Sequence, residues 1–306
     1  MRDPDDAANG PGVTAAANWP APPNYDALLP AEVAAKAEAL GVTKARLDTV
    51  PLFTLAVLGG AFIALGGVFA TVATAGGSDM PFGASRLLIG VAFSLGLILV
   101  VVAGAELFTG NNLVIMAAAS RRITAIDVLR NWTIVYLGNF VGALSIAGLI
   151  FLSREYTFGG GAFGLAALDI AAAKSRLDFP QAIALGVLCN ALVCLAVWLC
   201  LGARSTTDRI LAIVPPITAF VAAGFEHSIA NMYFFPAALL IKAGAGKAEF
   251  WTVVDKSPSD YASITTDAFL VDNLLPVTIG NIIGGAVLVG LVYWFIYRRG
   301  AGAPGP

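Results

Sequence analysis

One stretch that decides the fold of this chain reads Gly104-Ala105-Glu106-Leu107-Phe108-Thr109-Gly110-Asn111-Asn112, and it interrupts the apolar residues 87–119. A matching interruption within residues 210–241 reads Gly224-Phe225-Glu226-His227-Ser228-Ile229-Ala230-Asn231. As straight helices, these stretches of 33 and 32 residues would be roughly 50 Å long, against a hydrocarbon core of ~30 Å. We therefore predict that each forms a half-helix, a loop at membrane depth and a second half-helix. Paired broken helices of this kind indicate a transport site near the midplane.

The composition is that of an integral membrane protein. Of the 306 residues, 58% are hydrophobic and only 12% are charged, and the mean hydropathy is +0.81. A net charge of −2 without a basic run argues against nucleic-acid binding. Most of the length is taken up by membrane spans, so the lipid bilayer is the expected partner and a separate soluble domain is not expected.

The remaining apolar runs complete a count of six spans. Four runs have the length of a single transmembrane helix, namely residues 52–75, 132–152, 182–201 and 274–297. Spans three and six share a GNxxG pattern, at Gly138–Gly142 and Gly280–Gly284, whose small residues allow helices to approach closely. We predict an all-α membrane protein in which two three-helix repeats lie inverted in the bilayer, with helices two and five broken.

The domain boundaries and orientation follow from the same spans. We expect a disordered cytoplasmic tail over 1–29, an interfacial amphipathic helix over 30–48, a channel domain over 49–299 and a second tail over 300–306. The repeats are expected at 49–153 and 180–299. With the amino terminus inside, inner segments hold eleven Lys and Arg residues and outer segments seven of the total of 18. This bias predicts that both termini are cytoplasmic.

The two interruptions carry the candidate chemistry. His227 is the only histidine, and imidazole is the side chain that titrates nearest to neutral pH. If the two halves pack about a pseudo-twofold axis, Thr109 meets His227, and this pair can bind a small oxyanion or share a proton with it. The alternative is a histidine that only bonds a neighbouring helix.

The other polar residues of the loops are expected to have structural roles. Glu106 and Glu226, together with Asn111 and Asn231, are interpreted as groups that hold the loops. Asn112 and Asn190 have the same interpretation, and Asn190 is also counted among the pathway residues.

Other classes of protein fit the sequence less well. Cys189, Cys194 and Cys200 lie in one apolar run without CxxC spacing, so we interpret them as packing residues and expect no metal or cofactor. A membrane enzyme would need a nucleophile–base pair or metal ligands, which the sequence does not offer. A scaffold without a pore would leave the two ionisable loops unexplained.

At these residues the chain resembles the formate/nitrite transporter family, most of all its formate channel branch. The resemblance covers residues 24 to 299, and the segment Gly224–Met232 is its most specific part. Matching segments also include Ala105-Glu106-Leu107-Phe108-Thr109-Gly110-Asn111, Met80-Pro81-Phe82-Gly83, Phe93-Ser94-Leu95-Gly96-Leu97-Ile98-Leu99, Asn190-Ala191-Leu192-Val193-Cys194-Leu195-Ala196-Val197-Trp198 and Asp272-Asn273-Leu274-Leu275-Pro276-Val277-Thr278-Ile279-Gly280-Asn281.

The resemblance implies an aquaporin-like protomer in a homopentamer, with one pore per protomer. It places the family's central histidine at His227 and its loop threonine at Thr109. It implies apolar constrictions formed by Phe93, Leu97 and Phe220 on one side and by Leu107, Phe108 and Val193 on the other. It also implies a vestibule cation at Lys174. The first loop reads Thr-Gly-Asn where formate channels often have Thr-Ser, a departure that bears on the substrate.

The expected function is a bacterial inner-membrane channel or transporter for small monovalent anions or their acids, with formate as the first candidate. Nitrite, hydrosulfide, acetate and lactate are the alternatives. In the expected mechanism, the anion is fully or partly protonated at His227 with help from Thr109. A pure anion channel without proton transfer remains the second mechanism.

Overall fold

A computed structural model describes residues 26–76, 80–244 and 248–300, and most of the two expected tails lies outside these residues. In the described part, six helices are long and apolar enough to cross a membrane, as predicted. They are α2 (Thr49–Thr74), α3 (Phe82–Ala103), α5 (Ala125–Leu152), α7 (Phe179–Gly202), α8 (Thr206–Ala223) and the last span, Ala268–Tyr297. The last span contains α11 (Leu275–Ile282), α12 (Val292–Tyr297) and the π-helical segments Ala268–Leu274 and Ile283–Leu291.

The breaks in spans two and five lie where the sequence predicts them. Helix α3 ends at Gly104 and α8 at Gly224, with φ angles of 84° and 77°. Glycine adopts this left-handed conformation without a steric penalty, so it ends both helices. After the first loop come a 3₁₀ helix, Gly110–Val114, and α4 (Ile115–Ala119). After the second loop comes α9 (Ser228–Gly244).

The GNxxG patterns mark the closest helix contacts of the two halves. A Cβ on Gly142 of α5 would overlap the carbonyl oxygen of Val57 in α2. A Cβ on Gly284 of the last span would overlap the carbonyl oxygen of Val187 in α7. The small residues therefore let the third helix of each half pack directly on the backbone of the first.

Each half also begins with a short helix. Helix α1 (Pro30–Ala45) precedes α2 and packs on α4 and α7 through buried residues that include Val33 and Ala37. Helix α6 (Ala162–Lys174) precedes α7 and packs on α9. Helix α6 lies between the predicted repeats 49–153 and 180–299, where no element was predicted. A short α10 (Ala248–Val253) lies on the same side of the protein as α6.

In two spans, a polar N-cap residue starts the helix several residues before the apolar run begins. Thr124 Oγ1 accepts a hydrogen bond from Asp127 N (3.2 Å), so α5 begins seven residues before the apolar run at 132. Asp178 Oδ1 accepts from Gln181 N (2.7 Å) at the start of α7. Such side-chain acceptors satisfy the free N–H groups of a first helical turn.

Candidate transmembrane pathway

The first loop is held by an asparagine of α5. Glu106 N donates to Leu55 O (3.1 Å) of α2. Asn139 Oδ1 accepts from Phe108 N (2.9 Å), while its Nδ2 donates to Ala56 O (2.6 Å) and Glu106 O (2.9 Å). Asn139 is fully buried. Its side chain supplies hydrogen bonds to loop backbone groups that lipid cannot satisfy.

The second loop repeats this arrangement bond for bond. Glu226 N donates to Leu185 O (3.3 Å) of α7. Asn281 Oδ1 accepts from Ser228 N (2.9 Å), and its Nδ2 donates to Gly186 O (2.9 Å) and Glu226 O (3.0 Å). The two asparagines of the GNxxG patterns are therefore equivalent loop anchors.

Each loop carboxylate lies in a matching polar cluster. Glu106 accepts from Lys44 Nζ (2.7 Å) at the end of α1 and from Asn111 Nδ2 (2.6 Å). Asn111 Nδ2 also donates to Asn131 Oδ1 (3.0 Å), and Asn131 Nδ2 donates to Lys44 O (3.0 Å). These bonds join α1 and α5 to the first loop and partner its buried carboxylate.

The cluster around Glu226 has the same composition. Glu226 accepts from Lys174 Nζ (2.6 Å) at the end of α6 and from Asn231 Nδ2 (2.8 Å). Asn231 Nδ2 donates to Asn273 Oδ1 (2.6 Å), and Asn273 Nδ2 faces Lys174 O at 3.4 Å. Glu106, Glu226, Asn111 and Asn231 therefore bond within the loops and to the helices around them, and their loop-holding roles stay a prediction.

Sequence reasoning missed part of these clusters. Asn139 and Asn281 lie in the GNxxG patterns, where only the glycines were interpreted. Lys44 was counted as one inner cation among many, although Lys44 and Lys174 each end a short helix and each pair with a loop glutamate. Lys44 precedes the first span of its half, as Lys174 precedes the first span of the other half. This equivalence can be recognised only when α6 is known to be a helix that matches α1.

His227 and Thr109 meet between the two loops, as the pseudo-twofold packing predicts. His227 Nε2 lies 2.9 Å from Thr109 Oγ1, and Ala230 N donates to His227 Nδ1 (3.1 Å). Because Nδ1 is an acceptor, the proton of the neutral ring lies on Nε2, which then donates to Thr109 Oγ1. The hydroxyl hydrogen of Thr109 is thereby left to donate to another acceptor.

The pair has no counterpart when the halves are exchanged. His227 follows Glu226, whereas the residue after Glu106 is Leu107; Thr109 lies three residues after Glu106, whereas Ile229 lies three after Glu226. Each loop thus supplies one polar group and one apolar group to the centre. The amino-terminal ends of α9 and of the 3₁₀ helix begin beside them, so both helix dipoles favour negative charge there.

Two cavities open on either side of this centre. The α1-side cavity, of about 400 Å³, is lined by Lys36, Lys44, Leu97, Leu107 and Arg209, among others. The α6-side cavity, of about 420 Å³, is lined by Arg86, Phe93, Asp169, Lys174, Phe220, Glu226 and His227, among others. The cavities share no lining residue, so a buried layer that holds the His227–Thr109 pair separates them. The arrangement is that of two mainly apolar vestibules that carry basic residues, with one narrow barrier between them.

The grouping of the apolar constriction residues needs one correction. Phe93 and Phe220 lie together, with ring centroids 5.7 Å apart, and Phe220 lies 6.0 Å from the His227 ring. Leu97 was expected with them, but it lines the α1-side cavity together with Leu107. The reason is helical spacing: Leu97 lies one turn further along α3 than Phe93, toward the loop.

Two other expected constriction residues lie off the cavity walls. The Phe108 ring packs edge-on against Tyr136 and Trp132, with centroid distances of 4.9 and 6.2 Å. Val193 is buried in the core. Like Thr109, both residues are buried and line neither cavity, so their expected place at a constriction stays a prediction.

Asn190 is also buried and lines neither cavity. Its Nδ2 contacts Thr109 O (3.3 Å), Asn112 Oδ1 (3.0 Å) and Asn281 O (2.7 Å). Its expected place among the pathway residues stays a prediction. The Asn190 amide donates to these carbonyl oxygens, an arrangement compatible with the capping role expected for Asn112 and Asn190.

The fold and the site define a class of protein: a multi-pass membrane channel or transporter with inverted repeats and re-entrant half-helices meeting at the midplane. The sequence model of the family described as formate/nitrite transporter matches residues 31–295. The chain belongs to this family.

Several relatives cover almost the whole chain. The formate channel FocA of Escherichia coli strain K12 is 48% identical over 275 residues, which span 90% of this chain and 96% of that protein. The formate channel FocA of Haemophilus influenzae is 41% identical, spanning 89% and 95%. A solved structure described as a pentameric formate channel with formate bound has a TM-score of 0.78 and 45% identity, and the match covers 82% of this chain and 98% of that one.

Proposed function

We propose that this protein is a homopentameric channel that conducts formate, or formic acid, across a bacterial inner membrane with both termini in the cytoplasm. The observation that carries the proposal is the His227–Thr109 pair between two cation-lined cavities. Relatives described as formate channels support the choice of substrate, and the pentameric relative supports the assembly.

The geometry suggests how a small anion passes the barrier. Lys36 and Arg209, which form no ion pair among the described residues, attract anions to the α1-side vestibule, whereas Lys174 on the other side is paired with Glu226. An anion that enters the apolar layer loses water, which is costly unless polar donors replace it. The Thr109 hydroxyl is the free donor of the pair, and His227 is the member that lines the α6-side cavity. His227 Nε2–H lies directly behind the Thr109 hydroxyl and shares its proton with it. Full transfer to the anion requires that His227 has first taken up a second proton from vestibule water, because loss of the single ring proton would leave an imidazolate. The neutral acid then passes Phe93 and Phe220, or Leu97 and Leu107, at low cost.

Flux into proteoliposomes tests the proposal, with lumen pH and membrane potential recorded together. Passage as the neutral acid delivers protons and acidifies the lumen, whereas passage of the anion alone builds an inside-negative potential. We expect acidification with formate and its loss in His227→Phe. Preferred flux of nitrite or hydrosulfide would overturn the choice of substrate. Electrogenic formate flux at a constant lumen pH would reduce His227 to a hydrogen-bond donor.

A further inference from the structure

We propose a second anion site in this protein: Lys36 and Arg209, at the mouth of the α1-side cavity, bind a doubly charged oxyanion of the size of phosphate. The bound dianion blocks the pathway from that face and does not cross. The blocking effect rests on the proposed function, whereas the binding site itself does not.

Lys36 through its side chain and Arg209 through its backbone carbonyl lie beside the end of α7, and the charge of Arg209 acts on Lys36. Lys36 Nζ donates to Leu201 O (2.8 Å), and the Cys200 thiol donates to Arg209 O (3.6 Å). Both basic residues and both of these neighbours line the same cavity. An ammonium group has three N–H donors and a guanidinium has five, so most of their donors remain for a ligand.

The positive charge at this mouth is not neutralised by the described residues. Within them, no carboxylate forms an ion pair with Lys36 or Arg209. Glu106, the one acidic residue in the cavity lining, is already bound by Lys44 and Asn111. Burial lowers the pKa of Lys36, and the charges of Arg209 and Arg204 lower it further. An anion between Lys36 and Arg209 would relieve this repulsion.

The α6-side cavity offers no such site. There Lys174 is paired with Glu226 at 2.6 Å, and Arg86 donates through Nε and Nη2 to Ala222 O (2.9 Å) and Val221 O (2.7 Å). Asp169 adds a further negative charge to that lining. Anion binding at a vestibule mouth is therefore expected on the α1 face only.

The charge of the ligand decides whether it binds or passes. The attraction of two cations doubles for a dianion, whereas the cost of leaving water grows with the square of the charge. Beyond the mouth lie the apolar side chains of Leu97 and Leu107 and then two neutral donors. A monoanion can use those donors, but a dianion stays at Lys36 and Arg209 and obstructs the entry of monoanions.

Inorganic phosphate is the probe, at a pH above 7.5 where the dianion dominates and at fixed ionic strength. Formate uptake is measured in vesicles sealed with the α1 face outward or inward, assigned by the accessibility of an amino-terminal tag. We expect phosphate to inhibit competitively from the α1 face only. In Lys36→Gln/Arg209→Gln, the phosphate concentration for half inhibition should rise about tenfold or more, because two partly buried charges are lost.

Two control variants separate the site from general surface charge. Arg299→Gln removes a cation that lies over Phe295 outside the cavity lining, and it should leave the inhibition unchanged. Arg209→Lys keeps the charge and should retain most of it. Equal inhibition from both faces, phosphate uptake, or unchanged inhibition in the double variant would overturn the proposal. Calorimetric titration of the purified protein with phosphate tests the site even if no formate flux is found.

Discussion

A single hydrogen bond defines the chemistry at the residue scale. Ala230 N–H points at His227 Nδ1 and leaves Nε2 to serve Thr109, so the order of donors from helix to pathway is amide, imidazole and hydroxyl. The Thr109 hydroxyl is thus the donor left free for an oxyanion inside the buried layer, while His227 is the member of the pair that lines the α6-side cavity.

Replacement of Thr109 by valine tests this order. The variant has nearly the same shape but lacks the hydroxyl donor, so formate flux should fall about tenfold, as expected for the loss of one charge-assisted hydrogen bond of ~1.5 kcal/mol. Initial rates in proteoliposomes provide the measurement. Thr109→Ser keeps the hydroxyl and should retain most of the flux; if both variants match the parent protein, Thr109 is not a substrate contact.

The loop anchors allow a matched pair of stability tests. Asn281→Ala removes bonds to Ser228 N, Gly186 O and Glu226 O, and the buried groups left unpaired should destabilise the fold by ~2–4 kcal/mol. Asn139→Ala should have a similar effect through the first loop. Thermal unfolding followed with a thiol-reactive dye is suitable, since all three cysteines are buried.

Ser145→Ala is the control for these two variants, because the Ser145 hydroxyl is exposed and bonds only to Val141 O of its own helix. An unfolding temperature of Asn281→Ala equal to that of the control would contradict the anchoring role.

The candidate site was predictable where its residues break the membrane pattern. His227, Glu106 and Glu226 are ionisable groups in apolar stretches, so the sequence alone identified them. The resemblance placed Phe108 at a constriction, and Asn190 was counted among the pathway residues from within span four. Spacing does not specify the contacts of these side chains, and the structure shows Asn190 bonded to Thr109 O and Phe108 packed on Tyr136.

At the scale of elements, a buried carboxylate fastens α1 to the carboxyl-terminal end of the chain. Glu38 accepts from Ser120 Oγ (2.6 Å), Arg122 Nη1 (3.0 Å) and Arg298 Nε (2.9 Å). Burial alone would raise the pKa of Glu38, but these hydrogen bonds outweigh it and the pKa is lowered. The ionised clasp holds α1 over the α1-side cavity, which it helps to line.

The lowered pKa of Glu38 predicts how the docking of α1 responds to pH. The stabilising contribution is complete above the unfolded-state pKa near 4.5 and is lost as the pH falls through the lower folded-state pKa. Hydrogen exchange of the α1 amides should therefore be protected from pH 8 down to about 5 and less protected below about 4. Glu38→Gln should weaken this protection at neutral pH; undiminished protection in the variant would contradict the clasp.

Close packing of α2 and α5 gives a second prediction for elements. Gly142→Ala places a methyl group against Val57 O, and because both helices are held by the loop anchors, the folded yield and unfolding temperature should drop, by the equivalent of ~1–3 kcal/mol. Gly148→Ala on the same helix meets no atom within 4 Å and should be neutral. Equal behaviour of the two variants would mean that α5 can move away from α2.

At the scale of the whole molecule, the fold was predictable because the bilayer limits the choices. Span length, the two interruptions and the GNxxG patterns predicted six spans, and the structure confirms them. Helix α6 was missed because a 13-residue alanine-rich helix has neither the length of a span nor a clear apolar face. Its role in the fold becomes clear only from its packing on α9 and from the ion pair between Lys174 and Glu226.

The proposed orientation can be measured on the same scale. Because the native cysteines are buried, a single new cysteine reports on its own side. A membrane-impermeant maleimide should label Ser259→Cys in intact cells and Thr207→Cys only after permeabilisation, since both positions are exposed and lie at opposite ends of the spans. The reverse pattern would invert the proposed topology.

The two loops differ at the central positions although the halves are otherwise equivalent, and this difference bears on how such a protein can arise. A dimer of identical half-length chains would carry the same residue at both equivalent positions, so an imidazole–hydroxyl pair would occur twice and a single pair could not form. Fusion of a duplicated gene removes this constraint, because each copy can then mutate alone. The anchors that hold the loops stayed alike, while Leu107 and His227, and Thr109 and Ile229, diverged. Reuniting the two halves as separate polypeptides should therefore restore flux only when both different copies are supplied.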